Sequence, residues 1–155
     1  MKDFQSSDEI NVAIFKGAAS HAATEPRTQA LKDALNASGK TVNFVFEDNA
    51  DWDKAKAKDM FKQFLKTNQK CDAVVCNNDT MATGIIEACK EENLGDIKIY
   101  GIDATADGCA AIEAGTMAFT VYQSATGQGE MAVKAAAAMV KGDGISTLKG
   151  ATDDK

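Results

Sequence analysis

The residues with chemical capacity in this chain gather just after short apolar runs. Following residues 11–15 come Lys16-Gly17-Ala18-Ala19-Ser20-His21, leading into Thr24-Glu25-Pro26-Arg27. Following 41–46 come Glu47-Asp48-Asn49-Ala50-Asp51-Trp52-Asp53. Residues 73–76 lead to Asn77-Asn78-Asp79, 97–102 to Asp103-Ala104-Thr105, and 117–122 to Gln123. The inventory is an imidazole, a guanidinium, an indole, amides and a carboxylate. A ring hydroxyl both donates and accepts, so planar Asn, Asp, Gln and Arg groups can satisfy neighbouring hydroxyls in pairs. The C–H face of such a ring stacks on an aromatic plane, which the single Trp would provide. The candidate contacts are therefore His21, Arg27, Trp52, Asn78, Asp103 and Gln123.

Each has a plainer reading. Trp52 at a helix start could anchor the core, and Asp103 could cap the next turn. His21 could be a loop residue and Arg27 a solvated charge. Of the adjacent pair, Asn78 is assigned the ligand contact and Asp79 the helix cap. The functional reading depends on all of these residues converging on one rim.

The apolar runs must position that rim. They read as continuous apolar strands rather than alternating ones, as expected where both faces are covered. Between them lie helical patterns. Residues 27–37 place Ala30, Leu31, Ala34 and Leu35 on one stripe before Gly39. Residues 52–67 turn Ala57, Phe61, Phe64 and Leu65 inward. A helix starting at Asp79 buries Met81, Ala82, Ile85, Ile86 and Cys89. A short pattern over 107–114 and a last, Ala-rich one over 129–141 end at Gly115 and Gly142. This alternation predicts an α/β three-layer sandwich with a mostly parallel, doubly wound sheet. Ligands of such sheets bind beyond the carboxyl ends of the strands.

The chain has 155 residues and reads as a single lobe over 1–155. Within it, 1–10 is expected to be irregular. A net charge of −6 argues against a nucleic-acid partner. No apolar window is long enough to cross a bilayer, and the first residues lack an export-signal pattern. Cys71, Cys76, Cys89 and Cys109 sit in apolar stretches without metal-ligand spacing and read as buried free thiols. No nucleophile elbow, P-loop or Gly-x-Gly-x-x-Gly is present, so an enzyme is not expected.

The strings Asn77-Asn78-Asp79-Thr80-Met81-Ala82, Gly101-Ile102-Asp103-Ala104 and Ala50-Asp51-Trp52-Asp53 resemble the type I periplasmic sugar-binding proteins. The likeness runs from about Asn11 to Gly142 and is nearest the glucose/galactose-binding branch, with the ribose-binding branch more distant. His21, Glu25 and Arg27 fall at that branch's spacing. The resemblance implies that Trp52 stacks on a monosaccharide while His21, Arg27, Asn78 and Asp103 bond its hydroxyls or ring oxygen. Gln123 stands where galactose binders have Asn and ribose binders Gln. Ser6-Ser7-Asp8-Glu9-Ile10 lacks the carboxylate pattern of the calcium loop of some galactose binders, so neither metal nor cofactor is expected.

The resemblance further implies a second, amino-terminal lobe absent from this chain, helix 124–142 packing in that lobe, and a location in the periplasm or otherwise outside the cytoplasmic membrane. It also implies lobe closure over sugar and recognition by a membrane permease or chemoreceptor. Alone, this lobe should bind sugar at millimolar strength or weaker, and its last helix could exchange between two copies in a homodimer. Competing readings are the effector domain of a sugar-responsive repressor, a receptor-type signalling module, and a phosphotransferase using Asp48 or Asp103.

Overall fold

The computed structural model describes residues 4 and 6–144. The chain divides after Tyr122 into two compact units. The first alternates β1 (Glu9–Lys16), α1 (Thr24–Asn36), β2 (Thr41–Asn49), α2 (Lys54–Leu65), β3 (Ala73–Cys76), α3 (Asp79–Glu91), β4 (Lys98–Asp103), α4 (Ala106–Glu113) and β5 (Phe119–Tyr122). The strands form one sheet in the order β2-β1-β3-β4-β5, with every pairing parallel. The order reverses between β1 and β3, so the loops leaving these neighbours diverge and open a crevice at their carboxyl ends.

Alternation along β1 builds two cores. Ala13 and Phe15 point into one shared with Phe61 and Phe64 of α2, Met81 and Ile85 of α3, and Val74 and Ile99. Ile10, Val12 and Ile14 point the other way, against Leu31 and Leu35 of α1. The three-layer, doubly wound arrangement expected from the sequence is the one found. Both faces are covered at β1 and β3. The edge strands differ: β2 is largely half-buried, and β5 exposes Phe119, Val121 and Tyr122. Ile10 is buried in β1, which starts at Glu9, inside the segment expected to be irregular.

The expected stripe on α1 is corrected in part. Leu31 and Leu35 are half-buried, but Ala30 and Ala34 are exposed, and the buried residues of α1 are Thr24 and Thr28. Thr28 Oγ1 donates to the Thr24 carbonyl (2.8 Å) and accepts from Asn77 Nδ2 (3.2 Å). The inner edge of this helix is thus partly polar because it faces an amide at the end of β3.

Helices α2 and α3 lie in close contact. A Cβ on Gly84 would run into the backbone carbonyl of Lys54. Outside that contact Lys54, Lys58 and Lys62 pair with Glu87, Glu91 and Glu92. Lys58 and Lys62 hold the Glu91 carboxyl at about 2. Gly84→Ala should destabilise the lobe. Alanine gains about 1 kcal/mol of helix propensity, but overpacking against a carbonyl that cannot swing aside costs about 1–3 kcal/mol. Thermal unfolding checks the sign, and a raised Tm would contradict it.

All four cysteines are free. Burial pushes the thiol of Cys71 up to about 12 and that of Cys89 to about 11. Burial, with the Asp79 charge added, carries Cys76 well above its ordinary value. These three are poor nucleophiles. Cys109, expected to be buried, is instead exposed on α4.

The second unit holds α5 (Ala125–Lys141). It starts four residues before the pattern read over 129–141 and inside the segment 124–142 that the resemblance implied, because the Ser124 side chain accepts from Gly127 N (2.9 Å) and caps it. Gly142, at φ 80, closes it in the left-handed conformation that glycine adopts without strain. Val133, Met139 and Val140 on this helix are exposed.

Candidate functional site

The rim at the carboxyl ends of the strands begins with Gly17, directly after β1. Its N–H donates to Asn77 Oδ1 (3.1 Å) and its carbonyl accepts from Asn49 Nδ2. Three strand ends are thereby tied together through this one residue. A side chain at Gly17 would overlap the six-membered ring of Trp52, so the indole lies directly against this glycine. Trp52 also packs on the α2–α3 core, so its plainer reading as an anchor holds in part.

His21 meets the indole edge-on, with ring centroids 5.0 Å apart. Its Nδ1 accepts from Ala23 N (3.1 Å), leaving Nε2 as the ring's donor. The Arg27 guanidinium sits 5.7 Å from the indole centroid. Its Nη1 donates to the Asn77 carbonyl at 2.7 Å and lies 3.3 Å from Asp103 Oδ1. The latter is within ion-pair reach but not aligned as a hydrogen bond. Arg27 is therefore not a solvated charge. Four of the six expected residues, His21, Arg27, Trp52 and Asp103, form one chain of contacts.

The cap of α3, expected at Asp79, falls on Asn78. Asn78 caps α3, its Oδ1 accepting from Met81 N (2.9 Å), which leaves Nδ2 as a donor. Asp79 is fully buried and accepts from Thr105 N (2.8 Å), Thr105 Oγ1 (3.3 Å) and Thr120 Oγ1 (2.6 Å). Nor does Asp103 cap α4. Thr105 does so, accepting from Gly108 N (3.1 Å). Gln123 belongs to the second unit and is exposed there. Asp48, a candidate under the phosphotransferase reading, lies at the end of β2, its side chain accepting from its neighbour Asn49 N (2.7 Å).

Backbone strain concentrates on the same rim. Asp51 (φ 54), Trp52 (φ 65), Asp103 (φ 121) and Ala104 (φ 52) are non-glycine residues at positive φ in the two loops that carry the indole and the carboxylate. Conformations of this kind cost about 1–3 kcal/mol each and persist where surrounding bonds hold them. Here Asp53 N bonds the Ala50 carbonyl (2.9 Å), and Ala104 N bonds Thr120 Oγ1 (3.2 Å).

Among the described residues, the buried side-chain atoms without a hydrogen-bond partner are Trp52 Nε1 and Asp103 Oδ1. One is a donor and one an acceptor, and both are on this rim. Burial pushes the Asp103 carboxyl above its ordinary range, Arg27 pulls it back, and the Asp79 charge adds to the rise. Nearby, Lys16 is pulled down by burial but raised overall by Glu47 and Glu25. Glu47 is lowered by Lys32 first, against burial, and by Lys16. Buried polar groups left open in this way are satisfied when a ligand supplies their partners.

The sequence profile of the periplasmic binding protein domain matches residues 1–144. The chain belongs to the periplasmic binding protein family. It is 35% identical over 135 residues to a protein of Rhizobium meliloti assigned provisionally to rhizopine binding, covering 85% of this chain and 44% of that one. It is 32% identical over 134 residues to a D-galactose/methyl-galactoside binding periplasmic protein of Haemophilus influenzae, covering 85% and 40%. Its fold matches an ABC transporter solute binding protein of Bacillus halodurans with bound myo-inositol, at TM-score 0.80 and 33% identity over 88% of this chain and 47% of that one. The chain thus spans less than half the length of these relatives. At the level of the family, these are binding proteins of sugar transport rather than enzymes, and the galactose-binding relative is periplasmic.

The ties that position this periplasmic binding protein's site, made by Asn77, Thr28, Asp79, Thr105 and Thr120, were not singled out by sequence reasoning. Gly17 carried a signal, since a glycine directly after a strand marks a close approach.

Proposed function

We propose that this chain is one lobe of a solute-binding protein of an ABC transporter, and that its rim holds a monosaccharide of the glucose/galactose type. One observation carries the reading: four side chains from separate loops and α1 meet at one strand-end rim, where an indole N–H and a carboxylate oxygen are buried without a hydrogen-bond partner. A ring hydroxyl can donate to Asp103 Oδ1 while another oxygen accepts from Arg27 or His21 Nε2. Trp52 offers its plane to the C–H face of the ring. Asn78 contributes Nδ2, the amide hydrogens left over from capping. The sixth proposed contact, Gln123, rests on its place in the sequence directly after β5.

A sugar held on one side only forgoes half its contacts. Losing three hydrogen bonds at about 1 kcal/mol each, with one stacking contact, weakens binding by roughly a hundredfold to a thousandfold. The expected affinity of this chain is therefore millimolar or weaker, and the complete binding protein adds a second lobe.

Amide chemical shifts titrated with D-galactose, D-ribose and myo-inositol to tens of millimolar test the assignment. The expected shifts fall on residues 17–21, 51–52, 78 and 103–105 and are largest with galactose. Shifts confined to the opposite ends of the strands would overturn the site. Equal shifts with every polyol would overturn the ligand class.

A further inference from the structure

Asp79 has no partner among the proposed ligand contacts, yet the structure is built around it. Its carboxylate takes one donor set from the β4–α4 loop (Thr105 N and Oγ1) on Oδ2, and one from β5 (Thr120 Oγ1) on Oδ1. Thr120 Oγ1 in turn accepts from Ala104 N. Gly101 of β4 and Gly108 of α4 both face it, and a Cβ on either would collide with a carboxylate oxygen. Two glycines, two threonines and a strained dipeptide, Asp103-Ala104, thus surround one buried carboxylate at the first turn of α3.

Resting on the binding site proposed above, we infer that Asp79 is the positioning residue for that site. It clamps α3 to β5 and to the β4–α4 loop, and so holds the Asp103 carboxylate at the rim. The donor set matches a carboxylate. Thr105 N–H and the Thr120 hydroxyl donate to different oxygens, and only an ionised carboxyl offers two acceptors and no hydrogen. An amide of the same shape presents NH2 on one side. It must either face Thr105 N–H donor to donor or force Thr120 to accept from two sides. The charge acts as well. The charged groups acting on Asp103 are Arg27 of α1 and Asp79 of α3, and they act in opposite directions, while β5 presents the neutral Thr120.

The test uses Asp79→Asn and Thr120→Val in this chain, read without ligand. Amide hydrogen exchange at Ala104 and Thr105, and the titration of the Asp103 carboxyl followed by carbon NMR, are the measurements. In Asp79→Asn, exchange at both amides should speed up at least tenfold and the Asp103 midpoint should fall, because a like charge is gone. In Thr120→Val the charge stays, so Ala104 alone should speed up. Protection of Ala104 and Thr105 and an Asp103 midpoint unchanged in Asp79→Asn would overturn the inference. Should that variant not fold, unchanged protection of Ala104 in Thr120→Val would do so. Failure of wild-type protein to respond to any sugar, with these exchange effects intact, would instead strike the proposed function and leave the clamp standing.

Discussion

Gly17→Ala is expected to shift the emission of the protein's single tryptophan and to erase the sugar-dependent amide shifts at residues 51–52. The effect is steric. Gly17 is not at positive φ, so alanine adopts its backbone without strain, and its N–H and carbonyl can keep their bonds to Asn77 and Asn49. The added methyl would sit inside the six-membered ring of Trp52. The indole has little room to retreat. His21 closes one edge, the α2–α3 core backs it, and its own backbone is already in a left-handed turn. If it stays, overpacking costs about 1–3 kcal/mol. If it swings out, a comparable amount of aromatic burial is lost along with the stacking plane. Either way Tm should fall by several degrees, at roughly 2–4 °C per kcal/mol for a domain of this size. Unchanged emission together with unchanged sugar-induced shifts would show that the indole is not the stacking surface.

The parts legible in the sequence were those fixed by local pattern. β3 stands at the residues read for it, and the core positions of α2 and α3 follow their apolar spacing. Errors arose where burial was not the deciding force. β2 runs on through Glu47, Asp48 and Asn49, polar residues read as loop, because an edge strand lets such side chains reach water. The stripe rule counts apolar residues and so missed Thr24 and Thr28, which α1 buries against the Asn77 network. Asn78 and Asp79 are both good caps by type. What separates them is a set of donors 26 and 41 residues further along, at Thr105 and Thr120, which no local reading could assign. The convergence of His21, Arg27, Trp52 and Asp103 was readable because strand ends of a parallel sheet meet on one rim. Gln123, directly after β5, lies in the other unit.

Arg27→Met should remove detectable sugar binding and make stability more sensitive to pH. Methionine keeps much of the stem's bulk but none of the charge. A charged hydrogen bond to ligand is worth roughly 1.5–3 kcal/mol, enough to weaken an already weak site by ten- to a hundredfold. Within the protein, the loss leaves the Asn77 carbonyl without its 2.7 Å donor and Asp103 without its counter-charge. The sign of the pH effect follows from Asp103. Its folded-state carboxyl already titrates above the ordinary value, through burial first and Asp79 second, and Arg27 is what restrains the rise. A carboxyl raised in the folded state favours folding only while protonated. That contribution is present below the unfolded-state value and is lost as pH rises through the folded one. Removing Arg27 raises the folded value further, so the variant forfeits more on the way to neutrality. The Tm gap between wild type and Arg27→Met should therefore be widest near pH 7 and shrink on acidification through the carboxylate range. Adding Asp103→Asn should abolish the pH dependence of that gap, since an amide carries no proton to lose. A gap that stays constant with pH in the single variant would mean that Arg27 does not govern the charge of Asp103, and that the pair is adjacent without being coupled.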